Sequence, residues 1–131
     1  MFHGKTLYYQ KNYEEALAHC ESEGGKLAEP KSAETNNDIA TLASTNSIIN
    51  GSSLGSWIGI DDKSQEGYFR YASDNTSITY TDWDTAEPDN GKNQEEDCVM
   101  MLKWIHALRF KWHDGPCSAK KSFVCERIKG K

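Results

Sequence analysis

The amino-acid sequence predicts an α+β domain, and three features of the chain support this prediction. Two helical patterns lie in the first third of the sequence, and short runs of β-forming residues follow them. A long polar segment, residues 82–97, interrupts those runs. Helices followed by strands are typical of α+β proteins. The length of 131 residues corresponds to one domain, so we expect residues 1–131 to form a single unit.

The first helix follows a short predicted strand at residues 6–9. Asn12 is a favourable N-cap, and Glu15 stands where it completes a capping box. Glycines at positions 24 and 25 end the helix. The residues of its apolar face lie three and four apart, namely Ala16, Leu17 and Cys20.

A second helix begins after Ser32, which is its predicted N-cap. Its inward residues are Ile39, Leu42 and Ala43. The pattern fades in residues 44–56, which are rich in Ser, Asn and Gly.

The rest of the chain predicts strands. Apolar runs indicate buried strands, and alternating aromatic residues indicate half-buried ones. Trp57, Trp83 and Trp112 are expected in the core, whereas Asp82 and Asp84 are expected at the surface or in turns. The predicted strands are residues 57–60, 69–71, 98–102, 110–112 and 122–126, with residues 103–109 as the tip of a hairpin.

Charge and hydropathy exclude two classes of partner. The chain carries 15 Lys and Arg against 20 Asp and Glu, a net charge of −5, and it lacks the basic face typical of nucleic-acid binders. No apolar stretch approaches the roughly 20 residues that a membrane-spanning helix needs. We therefore expect neither nucleic-acid binding nor membrane insertion.

The four cysteines indicate the compartment. No pair has the close spacing of a zinc site, and four cysteines allow three disulfide pairings, which the sequence leaves open. A cytosolic protein with four reduced thiols is one interpretation. Two glycosylation sequons, at Asn50 and Asn75, favour a secreted, oxidised domain. The cysteines are Cys20, Cys98, Cys117 and Cys125.

The segment 82–97 concentrates carboxylates. Loops longer than about 12–15 residues inside a compact domain are usually functional. The segment holds seven acidic residues, three amide side chains and one cation, Lys92. Carboxylates so close together repel one another unless a cation neutralises them, and an oxygen-rich set suits Ca²⁺ better than Zn²⁺. Composition alone leaves a solvated acidic loop as the alternative.

The sequence resembles the C-type lectin-like domain over essentially its whole length. Each matching motif is weak alone, but their order and spacing are specific. The motifs are the first helix with Cys20, Gly24-Gly25-Lys26-Leu27-Ala28, Trp57-Ile58-Gly59-Ile60, Glu87-Pro88-Asp89, Glu96-Asp97-Cys98-Val99, Trp112-His113-Asp114 and Phe123-Val124-Cys125-Glu126.

The resemblance implies a fold with two helices, two small antiparallel β-sheets and a long Ca²⁺-binding loop. It implies the disulfides Cys20–Cys125 and Cys98–Cys117. The chain resembles the short form of the domain. It also implies a cis peptide bond before Pro88, which turns the side chains of Glu87 and Asp89 to the same side.

The resemblance further assigns ligands for Ca²⁺. The principal Ca²⁺ site comprises Glu87, Asp89, Glu96 and Asp114, with His113 at the place of the usual remaining ligand. The auxiliary Ca²⁺ site comprises Asp62, Glu66, Asn90, Glu96 and Asp97.

The implied function is Ca²⁺-dependent binding of carbohydrate, in which two neighbouring sugar hydroxyls coordinate the ion and hydrogen-bond to its ligands. Glu87-Pro88-Asp89 is a hybrid of the mannose-type Glu-Pro-Asn and the galactose-type Gln-Pro-Asp, and Asp89 slightly favours galactose. His113 is expected to donate to the sugar, and Trp104 or Phe110 to stack on it. The predicted sugar site is Glu87, Asp89, Glu96, His113, Asp114 and Trp104.

Two other classes of function are compatible with parts of the sequence. A domain of this type can bind a protein or an ice surface instead of sugar, and the replacement of the usual Asn by His113 favours that alternative. A hydrolase with paired carboxylates is disfavoured, because a carboxylate bound to Ca²⁺ is a poor general acid. We expect a secreted, non-enzymatic lectin with a role in glycan recognition or innate defence. If it forms a homodimer, we expect the contact to be non-covalent, because both disulfides would be internal.

Overall fold

A computed structural model describes residues 4–46, 49–50, 53–88, 97–104 and 106–127. The α+β class is confirmed. In chain order the elements are β1 (Gly4–Lys11), α1 (Tyr13–Ser22), β2 (Gly25–Leu27), α2 (Ala33–Asn46), β3 (Ile49–Asn50), β4 (Ser53–Asp61), β5 (Arg70–Tyr71), β6 (Cys98–Trp104), β7 (Lys111–Gly115) and β8 (Lys121–Arg127).

The described strands form one connected, mixed sheet. Its central order is β1-β8-β4-β6-β7, while β2 pairs with β8, and β3 and β5 pair with β4. The expectation of two separate antiparallel sheets is wrong, because β4 pairs parallel with β8 on one side and antiparallel with β6 on the other. This central strand joins β1 and β8 on one side to β6 and β7 on the other.

The start and end of α1 follow the predicted capping chemistry. Asn12 Oδ1 accepts a hydrogen bond from the Glu15 N–H at 2.9 Å, and Glu15 Oε1 accepts one from the Asn12 N–H at 3.0 Å. Gly24 follows the helix with a φ of +81°, a conformation that glycine adopts without the steric cost of a side chain. The capping box therefore sets where α1 begins and Gly24 sets where the chain turns away.

The boundaries of α2 and β4 differ from the sequence prediction. Ser32 Oγ accepts a hydrogen bond from the Thr35 N–H at 3.2 Å, as expected for an N-cap. The helix runs to Asn46 and β4 already begins at Ser53, so most of residues 44–56 have regular structure. Tertiary pairing explains the difference, because residues 53–57 of β4 pair with β6. Pairing of this kind overrides weak local propensity.

The sheet is buried on both faces, which explains the continuous apolar runs in its strands. α1 packs against the face of the sheet that carries Trp57 and Phe123. α2 packs against the opposite face, which carries Ile58 and Trp112. Trp57 and Trp112 are fully buried, as predicted. Trp83 is partly buried and packs against the core residues on the α2 side of the sheet.

The two disulfides are those that the resemblance implied. Cys20–Cys125 ties α1 to β8, and Cys98–Cys117 ties the start of β6 to the segment after β7.

The chain between β6 and β7 forms the predicted hairpin connection, with Cys98 opposite Gly115 and Leu102 opposite Lys111. Among the described residues, no helix combines the length and the apolar character needed to cross a membrane.

Candidate functional site

The ends of β4 and β6 bring three of the predicted ligands together. Asp62 follows the last residue of β4, and Asp97 precedes the first residue of β6. The Asp62 N–H donates to the Asp97 carbonyl oxygen at 3.0 Å, which continues the pairing of the two strands. Carboxylate oxygens of Asp62, Glu66 and Asp97 all lie within 4.8 Å of one another. These three residues are the acidic cluster.

Two carboxylate oxygens of the acidic cluster are buried and receive no hydrogen bond from the described residues. Oδ1 of Asp62 and Oδ1 of Asp97 have no hydrogen-bond partner among the described residues, and Asp62 is only 2% exposed. Burial raises the pKa of Asp62 to about 7. Burial, and then the neighbouring Glu66, also raise the pKa of Asp97. Buried carboxylate oxygens without donors are costly, and a hard cation is the partner that such oxygens fit. The residues present therefore fit Ca²⁺.

The predicted principal Ca²⁺ site is described only in part. Asp89 and Glu96 lie outside the described residues, as does Asn90 of the auxiliary site. The remaining members of the principal site, Glu87, His113 and Asp114, are adjacent in space.

The carboxylate of Glu87 lies against β7. Its Oε1 accepts a hydrogen bond from the Asp114 N–H at 3.4 Å, and its Oε2 lies 3.5 Å from Nδ1 of His113. The bond between Glu87 and Pro88 is cis, as the resemblance implied. The side chain of Asp114 comes from the same strand and is 4% exposed. The Glu87 carboxylate thus contacts the backbone of a strand residue 27 positions later in the sequence.

His113 is held by a residue that the sequence analysis did not select. Its Nε2 lies 2.9 Å from Oδ2 of Asp84, and an ionised carboxylate only accepts, so Nε2 donates. The Asp84 N–H donates to the Trp112 carbonyl oxygen at 3.1 Å, which keeps Asp84 beside β7. A hydrogen bond from the Thr85 N–H, with a smaller contribution from His113, lowers the pKa of Asp84. Both ring nitrogens of His113 therefore face carboxylates.

The expectation that Asp82 is a surface or turn residue is wrong, whereas Asp84 begins a turn in which its carbonyl oxygen accepts from the Glu87 N–H at 3.0 Å. The side chain of Asp82 is 9% exposed and accepts hydrogen bonds from Asn36 at 3.0 Å, Lys111 at 2.8 Å and Arg109 at 3.2 Å. A usable signal was present in the sequence. Residues 82 and 84 alternate with Trp83, so in extended chain they share a face opposite a residue that packs inward.

Of the two aromatic residues that were expected to stack on a sugar, one is buried and one is exposed. Phe110 is 6% exposed and belongs to the core, so it is not available for stacking. Trp104 is 50% exposed, and its ring centroid lies 6.5 Å from that of His113. Trp104 is therefore the aromatic residue beside the proposed sugar site.

Comparison with protein families identifies a match over most of the chain. The family model described as "Lectin C-type domain" matches residues 9–127. Collectin-10 of Gallus gallus is 36% identical over 129 residues, covering 95% of this chain and 43% of the collectin. An alpha-N-acetylgalactosamine-specific lectin of Patiria pectinifera is 37% identical over 120 residues, covering 88% of this chain and 68% of that lectin. Salivary C-type lectin 2 of Aedes albopictus is 33% identical over 115 residues, covering 87% and 76%.

The chain therefore spans less than half the length of the collectin that it matches. Solved structures agree in fold. The mouse scavenger receptor C-type lectin carbohydrate-recognition domain has a TM-score of 0.79 at 23% identity, covering 98% of this chain and 89% of that domain. A Ca²⁺-dependent type II antifreeze protein has a TM-score of 0.77 at 25% identity, covering 95% and 90%. These matches agree with the fold that the sequence motifs implied.

Proposed function

This chain belongs to the C-type lectin family, and from that premise we propose that it binds carbohydrate in a Ca²⁺-dependent manner. The observation that carries the proposal is the contact of the Glu87 carboxylate with the Asp114 N–H and with the ring of His113, beside the half-exposed Trp104. Carboxylate oxygens next to an exposed aromatic ring provide both kinds of contact that a sugar needs, hydrogen bonds to hydroxyls and an apolar surface for the ring face.

The ion would be held by the residues that the family resemblance assigns. Glu87, Asp89, Glu96 and Asp114 would form the principal Ca²⁺ site. The auxiliary Ca²⁺ site would comprise Asp62, Glu66, Asn90, Glu96 and Asp97. When bound, Ca²⁺ supplies open coordination positions for two neighbouring sugar hydroxyls.

The chain's own groups then orient the sugar. Glu87 and Asp89 carry acceptor oxygens on either side of Pro88, so hydroxyl protons of the sugar are donated to both. Trp104 lies beside His113 and offers an exposed ring face for stacking. Because Asp84 holds the ring proton of His113 at Nε2, Nδ1, which lies 3.5 Å from Glu87, would accept a hydrogen bond from a sugar hydroxyl.

The sugar class proposed is galactose-type, with mannose-type as the second candidate. Asp89 stands at the end of the motif where galactose-type members carry Asp. The Patiria pectinifera relative is named as specific for alpha-N-acetylgalactosamine, which supports the same direction. Glu87 supports the mannose-type alternative, because Glu is the residue of the Glu-Pro-Asn motif.

A protein- or ice-binding function is the second candidate from a different class. The observation that favours it is the likeness to a Ca²⁺-dependent type II antifreeze protein, with a TM-score of 0.77 over 95% of this chain. This candidate predicts binding that free monosaccharide does not compete away.

The setting proposed for the domain is extracellular. All four cysteines form disulfides, which persist in oxidising compartments. Residues 1–131 would act as one carbohydrate-recognition domain in glycan recognition or innate defence. A homodimer would be non-covalent, because both disulfides are internal, and two sites would raise weak single-site affinity by multivalency.

The test is binding to a glycan array in Ca²⁺ and again in excess EDTA. The proposal expects a signal in Ca²⁺ that EDTA abolishes. Asp114→Asn should lose that signal, whereas Asp74→Asn, an exposed Asp that bonds only to Thr76 among the described contacts, should keep it. Binding that survives EDTA, or none in Ca²⁺ for a folded protein, would contradict the proposal.

A further inference from the structure

The turn that follows β5 holds one of the two glycosylation sequons, Asn75-Thr76-Ser77. Residues 71–77 are the sequon turn. Two backbone hydrogen bonds close it, from the Tyr71 N–H to the Thr76 carbonyl oxygen and from the Asn75 N–H to the Tyr71 carbonyl oxygen, each at 2.8 Å. Residues 73–77 are exposed. The sequon therefore lies in an ordered turn at the surface, which is where asparagine-linked glycans are attached.

The side-chain amide of Asn75 is available for modification. Among the described residues it takes part in one hydrogen bond, in which Oδ1 accepts from Ser64 Oγ at 3.4 Å, and its Nδ2 donates to none. The backbone of Asn75 has a φ of +60°, a left-handed conformation that Asn adopts more readily than most residues. Turn geometry alone thus accounts for an Asn at this position, so Ser77 is the more informative residue of the sequon.

The hydroxyl of Ser77 is not needed to hold the turn. Its Oγ accepts from a guanidinium nitrogen of Arg70 at 3.4 Å, a long contact between exposed atoms. The side chain that does brace the turn is Asp74, whose Oδ1 accepts from the Thr76 N–H at 3.1 Å and from the Thr76 hydroxyl at 2.7 Å. The residues that define the sequon, Asn75 and Ser77, are therefore those whose side-chain contacts the fold does not require.

We propose that Asn75 carries an N-linked glycan. The inference rests on the extracellular setting of the proposed function, but not on sugar or Ca²⁺ binding. The donor is an oligosaccharide joined to a lipid diphosphate in the secretory pathway. The bond between the anomeric carbon and the diphosphate oxygen breaks, and a bond from that carbon to Nδ2 of Asn75 forms. Nδ2 loses one proton, and the lipid diphosphate leaves. The Ser77 hydroxyl is the second group that the transferring enzyme recognises.

The other sequon gives no comparable support. It begins at Asn50, which pairs with Ser53 where β3 meets β4. The side chain of Asn50 and residues 51–52 lie outside the described part of the chain. The proposal therefore concerns Asn75 alone.

A glycan on the sequon turn limits what can approach this part of the surface. Ser64, which contacts Asn75, lies in the loop between Asp62 and Glu66 of the acidic cluster. A glycan is bulky and hydrated, so it keeps a protein partner away from the turn and from this loop, whereas a single ion is small enough to pass. A non-covalent homodimer would therefore use another surface.

The test is secretion of residues 1–131 from mammalian cells behind a cleavable leader, followed by treatment with peptide:N-glycosidase F. We expect most of the secreted protein to migrate more slowly than the same chain made in bacteria, and the glycosidase to remove the difference. The glycosidase converts a modified asparagine to aspartate. Peptide mass spectrometry should therefore locate that conversion at position 75.

Matched variants separate the sequon from the turn. Ser77→Ala keeps Asn75 but removes the sequon, so it should lose the glycan, as should Asn75→Gln. Thr76→Ala is the control, because it removes the hydroxyl contact with Asp74 but keeps the sequon, and it should stay glycosylated. Asp74→Asn would begin a further sequon that ends at Thr76, so experiments in which it serves as a control use bacterial protein.

Two results would overturn the inference. One is a secreted, folded wild-type chain that is unmodified at Asn75, whether or not Asn50 is modified. The other is a difference in migration that persists in both Ser77→Ala and Asn75→Gln. Equal losses of glycan in Ser77→Ala and Thr76→Ala would contradict the role given to Ser77. None of these measurements involves sugar binding or Ca²⁺, so failure here is distinct from failure on the glycan array.

Discussion

At the scale of single residues, His113 is one position where this chain departs from the usual lectin pattern. An imidazole is a poor ligand for a hard ion such as Ca²⁺. In the structure its ring lies between two carboxylates, with Nε2 at 2.9 Å from Asp84 and Nδ1 at 3.5 Å from Glu87. We therefore expect Asp84 to affect sugar binding through His113, because Asp84 fixes which ring nitrogen carries the proton and how the ring is oriented.

Asp84→Asn tests this role. The amide still accepts a hydrogen bond, but it is neutral and holds the Nε2 proton less strongly. We expect a larger fraction of His113 in the tautomer protonated at Nδ1, measured by ¹⁵N NMR of the imidazole, and a several-fold loss of sugar affinity. Asp74→Asn removes an exposed carboxylate elsewhere and should change neither quantity. An unchanged tautomer would show that Asp84 does not orient the ring.

The hybrid Glu87-Pro88-Asp89 motif gives a second prediction at this scale. Glu87→Gln restores the galactose-type motif, and Asp89→Asn restores the mannose-type motif. Each change converts one acceptor-only carboxylate into an amide that can also donate. We expect the ratio of galactose to mannose affinity, measured by monosaccharide competition, to rise in Glu87→Gln and fall in Asp89→Asn, by about tenfold each. Shifts in the same direction in both variants would contradict the assignment.

At the scale of elements, a polar contact joins α2 to β7 through the segment that holds Asp84. Asn36 is 3% exposed, and its Nδ2 donates to Asp82 at 3.0 Å. Its Oδ1 accepts from Nε1 of the buried Trp112 at 2.9 Å. The Trp112 N–H in turn donates to the Asp82 carbonyl oxygen at 2.9 Å. One buried side chain on α2 thus fixes the strand that carries His113 and Asp114.

Asn36→Ala should lower the free energy of unfolding by about 1–3 kcal/mol, because it leaves the buried indole N–H of Trp112 without its acceptor. Its neighbour gives the control. Asn37 is on the same helix but exposed, so Asn37→Ala should change stability by less than about 0.5 kcal/mol. Urea denaturation measures both. Similar losses in the two variants would indicate an effect of helix composition and would refute a role for the buried contact.

The limits of α1 were more predictable than those of the strands. Asn12, Glu15 and Gly24 act on residues within a few positions of themselves, so local chemistry was sufficient to place α1. β4 starts at Ser53 because it pairs with β6, more than forty residues later. No local pattern contains that information, since pairing depends on which strands become neighbours.

At the scale of the whole molecule, we expect the acidic cluster to make stability depend on pH and on Ca²⁺. Burial raises the pKa of Asp62 to about 7, against an ordinary value of 3.8. Between these values the folded state binds more protons than the unfolded state, so stability falls as pH rises. Desolvation also raises the pKa of Asp61 and Glu126, which acts in the same direction.

In EDTA we therefore expect the melting temperature to fall as pH rises from about 4.5 to about 7.5. In Ca²⁺ the trend should weaken or reverse, because protons compete with the ion for the carboxylates and the ion binds the folded state. At about pH 7.5, Ca²⁺ should raise the melting temperature by at least about 3 °C. Calorimetry in the two buffers measures this. Identical curves in both would contradict Ca²⁺ binding at the acidic cluster.

The sequence by itself determined the class of the fold, the capping of α1 and a set of carboxylates suited to Ca²⁺, and its family resemblance gave both disulfides. These follow from local chemistry or from motifs whose order and spacing are specific. The tertiary structure decided that the strands form one mixed sheet and that Phe110 is buried while Trp104 is exposed. It also decided that Asp84 holds His113. Each of these depends on contacts between residues far apart in the chain, and packing, rather than local sequence, selects which of them form.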